Sequence, residues 1–169
     1  MREIVLDTET TGISAKNGHR IIEIACLELK NGRPSGVQYC QRLNPGRSID
    51  RGATRVHGIT SRHLRHCPEF AEIAGSLFDF IADSPLVIHN APFDLAFLRL
   101  ETSLCGLGEF TPAAVVDTLK MARRRFPGQR NSLDALCQRF SIDCSARHRH
   151  GALIDCQLLA QVYTCLKKL

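Results

Sequence analysis

Apolar residues change their period partway along this chain. Up to Leu43 they come in short stretches: Ile4-Val5-Leu6, Ile21–Leu29 and Val37–Leu43. From Phe70 they recur as Phe70, Ile73, Ala74, Leu77, Phe78 and Ile81, a spacing that only a helix gathers onto one face. A three-residue apolar run is too short for a helix and has the look of a strand buried on both faces. Asn31-Gly32, between the second and third stretches, is a hairpin turn signal, so the first three strands form an antiparallel meander. Beyond the helix, Leu86-Val87-Ile88 and Ala114-Val115-Val116 read as two further short strands. Helices are expected over Phe93–Leu104, Thr118–Arg125, Leu133–Phe140 (with Ser132 as N-cap) and from about Ala152 to the end. A meander followed by strand–helix alternation gives an α/β architecture, a mixed five-stranded sheet with helices packed on it.

The 169 residues suit a single domain, residues 1–169, which can bury roughly 70% of the unfolded chain's surface. No apolar run approaches the roughly 20 residues of a membrane span. Asp7 interrupts the N-terminal run far too early for a signal peptide. The eight cysteines are scattered with no C-x-x-C pair, which fits free thiols in a reducing, cytoplasmic setting and argues against structural zinc. A zinc role for His63, His66 and Cys67, or for the Cys144–His148 stretch, fits no tight ligand spacing. The net charge of +5 is compatible with a polyanionic partner and decides nothing alone.

Three acidic signals stand out. Asp7 and Glu9 are two residues apart on the first strand, so both project from one face of its end. Two adjacent carboxylates repel unless a cation lies between them, and Mg²⁺ or Mn²⁺ is suited to oxygen ligands. Asp94, in His89-Asn90-Ala91-Pro92-Phe93-Asp94, follows a buried strand and enters the first turn of a helix. Asp155 shares the core-facing stripe of the last helix with Leu158, Leu159, Val162 and Leu166, where an acid without a partner is costly. His150 lies on the polar approach to that helix and can serve as a general base beside metal-bound water. Four acids and a histidine suit a two-metal site for in-line displacement at phosphorus. Two basic clusters remain: Arg123-Arg124-Arg125 with Arg130, able to grip a phosphate backbone, and Arg147, His148 and Arg149, placed to meet an approaching phosphate.

Asp7-Thr8-Glu9-Thr10-Thr11-Gly12, His89 to Asp94 and His150 to Asp155 closely resemble the three motifs of the DEDDh (DnaQ-like) exonucleases. Arg20 to Ile24, Val56-His57-Gly58-Ile59 and Phe126 to Cys137 extend the resemblance over almost the whole chain, with most likeness to the proofreading subunits of bacterial replicative DNA polymerases. The resemblance implies a ribonuclease-H-like fold with helices on both faces of the sheet, and release of nucleoside 5′-monophosphates from 3′ ends of single-stranded or frayed DNA. It implies Asp7, Glu9, Asp94 and Asp155 as ligands of two divalent ions, Mg²⁺ or Mn²⁺, and His150 as the base. Thr10 and His57 would touch the terminal nucleotide, and His89 and Phe93 would shape the site. The polymerase is the implied protein partner.

Two departures accompany the match. Gly52 stands where those subunits carry an acid near the substrate. The chain also stops at Lys167-Lys168-Leu169, where they continue into a tail that tethers them to the polymerase, so a trimmed or free-standing enzyme is expected. The alternatives are a ribonuclease T-like or oligoribonuclease-like trimming enzyme and an inactive nucleic-acid-binding module. Asp7-Thr8-Glu9-Thr10 departs from the D-L-E-M of oligoribonucleases, and the intact acids and His150 argue against the inactive module.

Overall fold

A computed structural model describes residues 1–145 and 147–169. The strands are β1 (Arg2–Thr10), β2 (Ile21–Lys30), β3 (Arg33–Arg42), β4 (Leu86–Ile88) and β5 (Val115–Asp117). The helices are α1 (Arg51–His57), α2 (Ser61–Leu64), α3 (Phe70–Ile81), α4 (Ala91–Leu104), α5 (Thr118–Arg125), α6 (Leu133–Arg139) and α7 (Ala152–Lys167). The sheet order is β3-β2-β1-β4-β5. β1 pairs antiparallel with β2 and parallel with β4, so the strand that ends in Asp7 and Glu9 is the centre of the sheet.

That central place explains its composition. Ile4 and Leu6 face α3 and α4, packing with Phe70, Leu77, Phe97 and Leu98. Val5 faces the other way, toward Leu136 of α6 and Cys156, Leu159 and Val162 of α7. The alternation continues past the apolar run and delivers Asp7 and Glu9 to the α7 side. The Cys156 thiol lies against the Val5 and Ala25 carbonyls at 3.7 and 3.4 Å, so α7 sits directly on the two central strands.

The hairpin closes at Asn31 and Gly32, both at positive φ (53° and 76°), the backbone that an Asn-Gly turn supplies cheaply. β3 begins four residues earlier than the apolar pattern suggests, because exposed Arg33 and Pro34 still pair with β2 across a register shift although no side-chain periodicity marks them. The Ser132 hydroxyl accepts from the Ala135 N–H at 3.3 Å, the cap expected for α6. Helices α1 and α2 have no counterpart in the sequence reading. They are short and largely exposed, with no apolar stripe to announce them. Among the described residues no helix is long and apolar enough to cross a membrane.

One buried ion pair locks β2 to α4. The Glu101 carboxylate, 1% exposed, accepts from Arg20 Nε (2.9 Å), Arg20 Nη2 (2.6 Å) and the Ile21 N–H (3.0 Å). Arg20 keeps a quarter of its side chain in solvent, so its loss of partner is softened. Glu101→Ala should lower stability by about 3 kcal/mol, the low end for breaking a buried pair. Thermal unfolding should then show Tm down by roughly 6–12 °C, and a fall of a degree or two would mean the pair holds nothing.

Candidate active site

The site forms where three elements meet at the C-terminal end of β1. Asp7 and Glu9 come from the strand, Asp94 from the first turn of α4, and Asp155 from the first turn of α7. Each is steered by its local backbone. Asn90 takes the left-handed conformation (φ 68°, ψ 52°), which asparagine tolerates, and turns the chain from β4 straight into α4. Pro92 then occupies the first turn, where its missing N–H costs nothing. The Asp94 carboxylate accepts from the Thr8 N–H (3.1 Å) and the Thr8 hydroxyl (2.7 Å), bridging α4 to β1.

α7 is anchored by a residue far away in sequence. Glu23, opposite Glu9 in the β1–β2 register, accepts from the Ala152 N–H at 2.9 Å with one oxygen and from Arg42 Nε at 2.8 Å with the other. A carboxylate at a helix N-terminus satisfies an orphan donor and complements the dipole. It fixes the start of α7 and, one turn on, Asp155.

Burial and mutual repulsion dominate the electrostatics. Asp7 titrates well above the ordinary carboxylate range because of burial and the nearby charges of Asp94, Asp155 and Glu9. Glu9 is pushed up to about 8 by burial and by Asp155. Burial raises Asp94 to about 7 despite its hydrogen bonds from Thr8. Asp155 is the exception: burial pushes it up, but hydrogen bonds from His150 and Arg147 outweigh that and hold it below the usual range.

Arg147 is the second of the two groups that hold Asp155 down, after His150, and its place differs from the expected one. Instead of facing an incoming phosphate, its side chain is 6% exposed and grips Asp155 through two bonds, Nε to Oδ1 (2.5 Å) and Nη2 to Oδ2 (2.6 Å). It also pairs with Asp134 of α6. Sequence offered no sign of this, since Asp134, Arg147 and Asp155 are joined only by the fold.

His150 is exposed, and its Nδ1 lies 3.3 Å from Asp155 Oδ2 and 2.8 Å from Arg147 Nη2. The two contacts belong to different protonation states. A protonated Nδ1 donates to Asp155, whereas a bare Nδ1 accepts from Arg147. The Asp155 hydrogen bond raises the histidine's pKa above its ordinary value, against burial and the Arg147 charge. The His150 N–H donates to the Val56 carbonyl at 3.2 Å, tying this segment to α1.

The remaining predicted residues surround the acids. The Ile59 N–H donates to His57 Nδ1 (3.0 Å), which places the imidazole proton on Nε2, where it meets the Thr10 carbonyl at 3.2 Å. The Thr10 hydroxyl donates to the Gly12 carbonyl at 2.7 Å. Thr10 and His57 are thus brought together, with their polar side-chain atoms engaged inside the chain. Gly58 ends α1 in the left-handed region (φ 72°), and the Arg149 side chain lies where a Cβ at Gly58 would be. His89 is half-buried with Nδ1 2.9 Å from the Thr118 hydroxyl, and burial lowers its pKa. Phe93 is half-buried against Phe97, with ring centroids 5.0 Å apart. Gly52 is exposed in α1 with open space beyond it, so no acid contact is made there. Two features escaped the sequence reading. Ile13 is 89% exposed three residues after Thr10, and Val56 is 47% exposed beside His57, two apolar side chains left in solvent.

The donor set fits a hard divalent cation: clustered oxygens, three of them electrostatically short of positive charge. Among the described residues, one group of potential ligands has its atoms within 4.8 Å of one another, namely Glu9, His150 and Asp155. Asp7 and Asp94 adjoin that group without belonging to it.

Comparison with known proteins finds relatives of the whole chain. Residues 4–163 match the RNase T family model, described as exonuclease. The chain is 48% identical over 169 residues to the DNA polymerase III subunit epsilon of Rickettsia prowazekii, covering 98% of this chain and 74% of that protein. To the Escherichia coli protein of the same name it is 47% identical over 172 residues, covering 98% and 71%. Exonuclease X, solved in complex with 5′ overhanging duplex DNA, superposes with TM-score 0.77 at 24% identity, covering 98% of this chain and 90% of that one, a likeness of fold.

A pH experiment tests the electrostatics. Glu9 and Asp94 hold protons in the folded state that an unfolded chain would release near pH 4, so the fold binds more protons than the unfolded chain from there to about pH 8. Stability in chelator should therefore fall as pH rises through that window, and added Mg²⁺ or Mn²⁺ should remove the decline. Asp7→Asn should raise Tm in chelator by a few degrees at pH 8 and by less at pH 5, because the repelled charge is gone. A variant that melts below the parent at every pH in chelator would contradict the repulsion. The acids of three elements, the matched family model and the relatives together place this chain in the exonuclease family of the polymerase III epsilon subunits.

Proposed function

We propose that this chain hydrolyses the terminal phosphodiester at DNA 3′ ends, releasing nucleoside 5′-monophosphates as a proofreading exonuclease for a replicative DNA polymerase. The observation that carries the reading is the convergence of Asp7, Glu9, Asp94 and Asp155 with His150 at the end of the central strand. Exonucleases of this family use divalent metals. Two such ions, Mg²⁺ or Mn²⁺, held by Asp7, Glu9, Asp94 and Asp155 would supply the positive charge that acidifies water and steadies the phosphate.

The chain's own residues do the rest. Neutral His150 takes a proton from the attacking water, whose oxygen bonds to phosphorus as the P–O3′ bond breaks; the departing O3′ takes a proton from solvent, so the shortened strand ends in a 3′ hydroxyl and the nucleotide leaves as its 5′-monophosphate. With Nδ1–H donating to Asp155, the bare Nε2 is the atom that takes this proton, while Arg147 keeps its two bonds to Asp155. Ile13 and Val56 offer apolar surface to the terminal base and sugar, next to the backbone held by Thr10 and His57. Phe93 and His89 form the opposite wall. A frayed end enters with less unpairing, which favours mispaired termini.

Cleavage of 5′-labelled and 3′-labelled strands, as single-stranded DNA, matched or mispaired duplex and RNA, tests the reading. Excess EDTA should abolish cleavage and Mg²⁺ or Mn²⁺ restore it, with the 3′ label released first as a mononucleotide. His150→Ala should lower kcat by roughly 10²–10⁴ while leaving strand binding largely intact, the span of one acid–base group. His150→Gln should do no better, since glutamine cannot take the proton. Undiminished cleavage in chelator removes the metal, a 5′ mononucleotide as first product reverses the polarity, and preference for RNA replaces proofreading with trimming.

A further inference from the structure

One strongly charged surface lies outside the catalytic acids. Helix α5 carries Lys120, Arg123, Arg124 and Arg125 in eight residues, all exposed. Among the described residues none of the four has a carboxylate within 4.0 Å. The three arginines close the last turn, where the helix dipole welcomes cations. The dipole does not explain Lys120, which sits in the first turn. Lys120 and Arg124 are also four apart on one face, where like charges destabilise a helix by about 0.2–0.5 kcal/mol. A polyanion against this face relieves that repulsion.

The start of α5 is bolted to the site. Asp117 Oδ1 accepts from the Leu119 N–H (2.9 Å), the Lys120 N–H (3.2 Å) and, across the sheet edge, the Asn90 N–H (3.3 Å). The Thr118 hydroxyl lies 3.3 Å from the Ile88 carbonyl. A cleft of about 420 Å³ opens here between α4, β5 and α5. Ala91 and Pro92, in the same helical turn as Asp94, line it with Val115 and Val116, with Asp117, whose Oδ1 is taken up by backbone N–H groups, and with the exposed Lys120 and Arg124. A second cleft shares Met121 and Arg124 and adds Arg125, so the two are continuous along the helix. Eight helical residues span about 12 Å, the length of several phosphates of one strand.

We propose that the α5 face is a strand-holding surface, in which this cleft receives the nucleic-acid strand upstream of the terminal nucleotide and Lys120, Arg124 and Arg125 bind its phosphates. The proposal rests on the exonuclease reading and extends it to a second contact region. Apolar lining beside exposed cations suits sugars and phosphates. Neither cleft contains an aromatic side chain on which a base could stack, so the grip is independent of sequence.

The test is the triple variant Lys120→Gln/Arg124→Gln/Arg125→Gln. Two substrates are compared, an oligothymidylate of about fifteen nucleotides, long enough to span such a groove, and the p-nitrophenyl ester of thymidine 5′-monophosphate, which reaches only the terminal site. The variant should hydrolyse the ester like the parent and bind the oligomer roughly tenfold more weakly at low salt, with a log–log salt slope smaller by about 2, three lost contacts on single-stranded DNA. Binding is read by fluorescence anisotropy in chelator, independently of turnover. The charge-keeping variant Lys120→Arg/Arg124→Lys/Arg125→Lys should bind like the parent, which separates charge from folding. Unchanged affinity and slope in the glutamine variant would overturn the proposal and leave the face to an acidic protein segment. A parent chain that hydrolyses neither substrate would instead overturn the exonuclease reading.

Discussion

Like charges are held close together here in a place where burial already disfavours charge. Asp7, Glu9, Asp94 and Asp155 sit at the end of a strand covered on both faces, and three of them hold protons well above the usual carboxylate range. Such an arrangement lowers the stability of the bare fold, and the rest of the structure compensates for it. Thr8 supplies two donors to Asp94, and Glu23 holds the N-terminus of α7 so that Asp155 cannot drift from its partners. Arg147 supplies a guanidinium held against Asp155. Strain of this kind is common at functional sites, where the geometry is set by what the site must bind.

The packing makes that geometry rigid. Both faces of β1 are filled, by α3 and α4 on one side and by α6 and α7 on the other. Two of the acids are therefore carried on the most restrained backbone in the chain, and the other two on first helical turns. His150 is different. It is exposed, held by one backbone bond to Val56, and flanked by Arg149, which lies over Gly58. Its Nδ1 lies within reach of both Asp155 and Arg147, and as the proposed base it would use this freedom.

Much of this was legible in the sequence, for physical reasons that differ by element. The alternation of β1 predicts that Asp7 and Glu9 share a face, because a strand's period is a property of the backbone. The stripe of α3 gives its bounds, Phe70 and Ile81, because its buried side is continuous. Asp155 stands out because an acid among Leu158, Leu159 and Val162 has no cheap structural use. Helices α1 and α2 were missed because they bury little, and the start of β3 was missed because it is exposed on both faces.

What the sequence by itself determined is the five strands, the five longer striped or capped helices, the mixed sheet and the list of acids, all of which follow from local periodicity and from residues that are costly where they lie. Only the tertiary structure decided which charges answer which. Arg147 reads as one member of an exposed basic run and proves to be a buried partner of Asp155 and Asp134. Glu23 reads as one strand residue among others and proves to cap a helix 129 positions away. Electrostatic partnership depends on distance in space and on the surrounding dielectric, and neither is written in sequence separation.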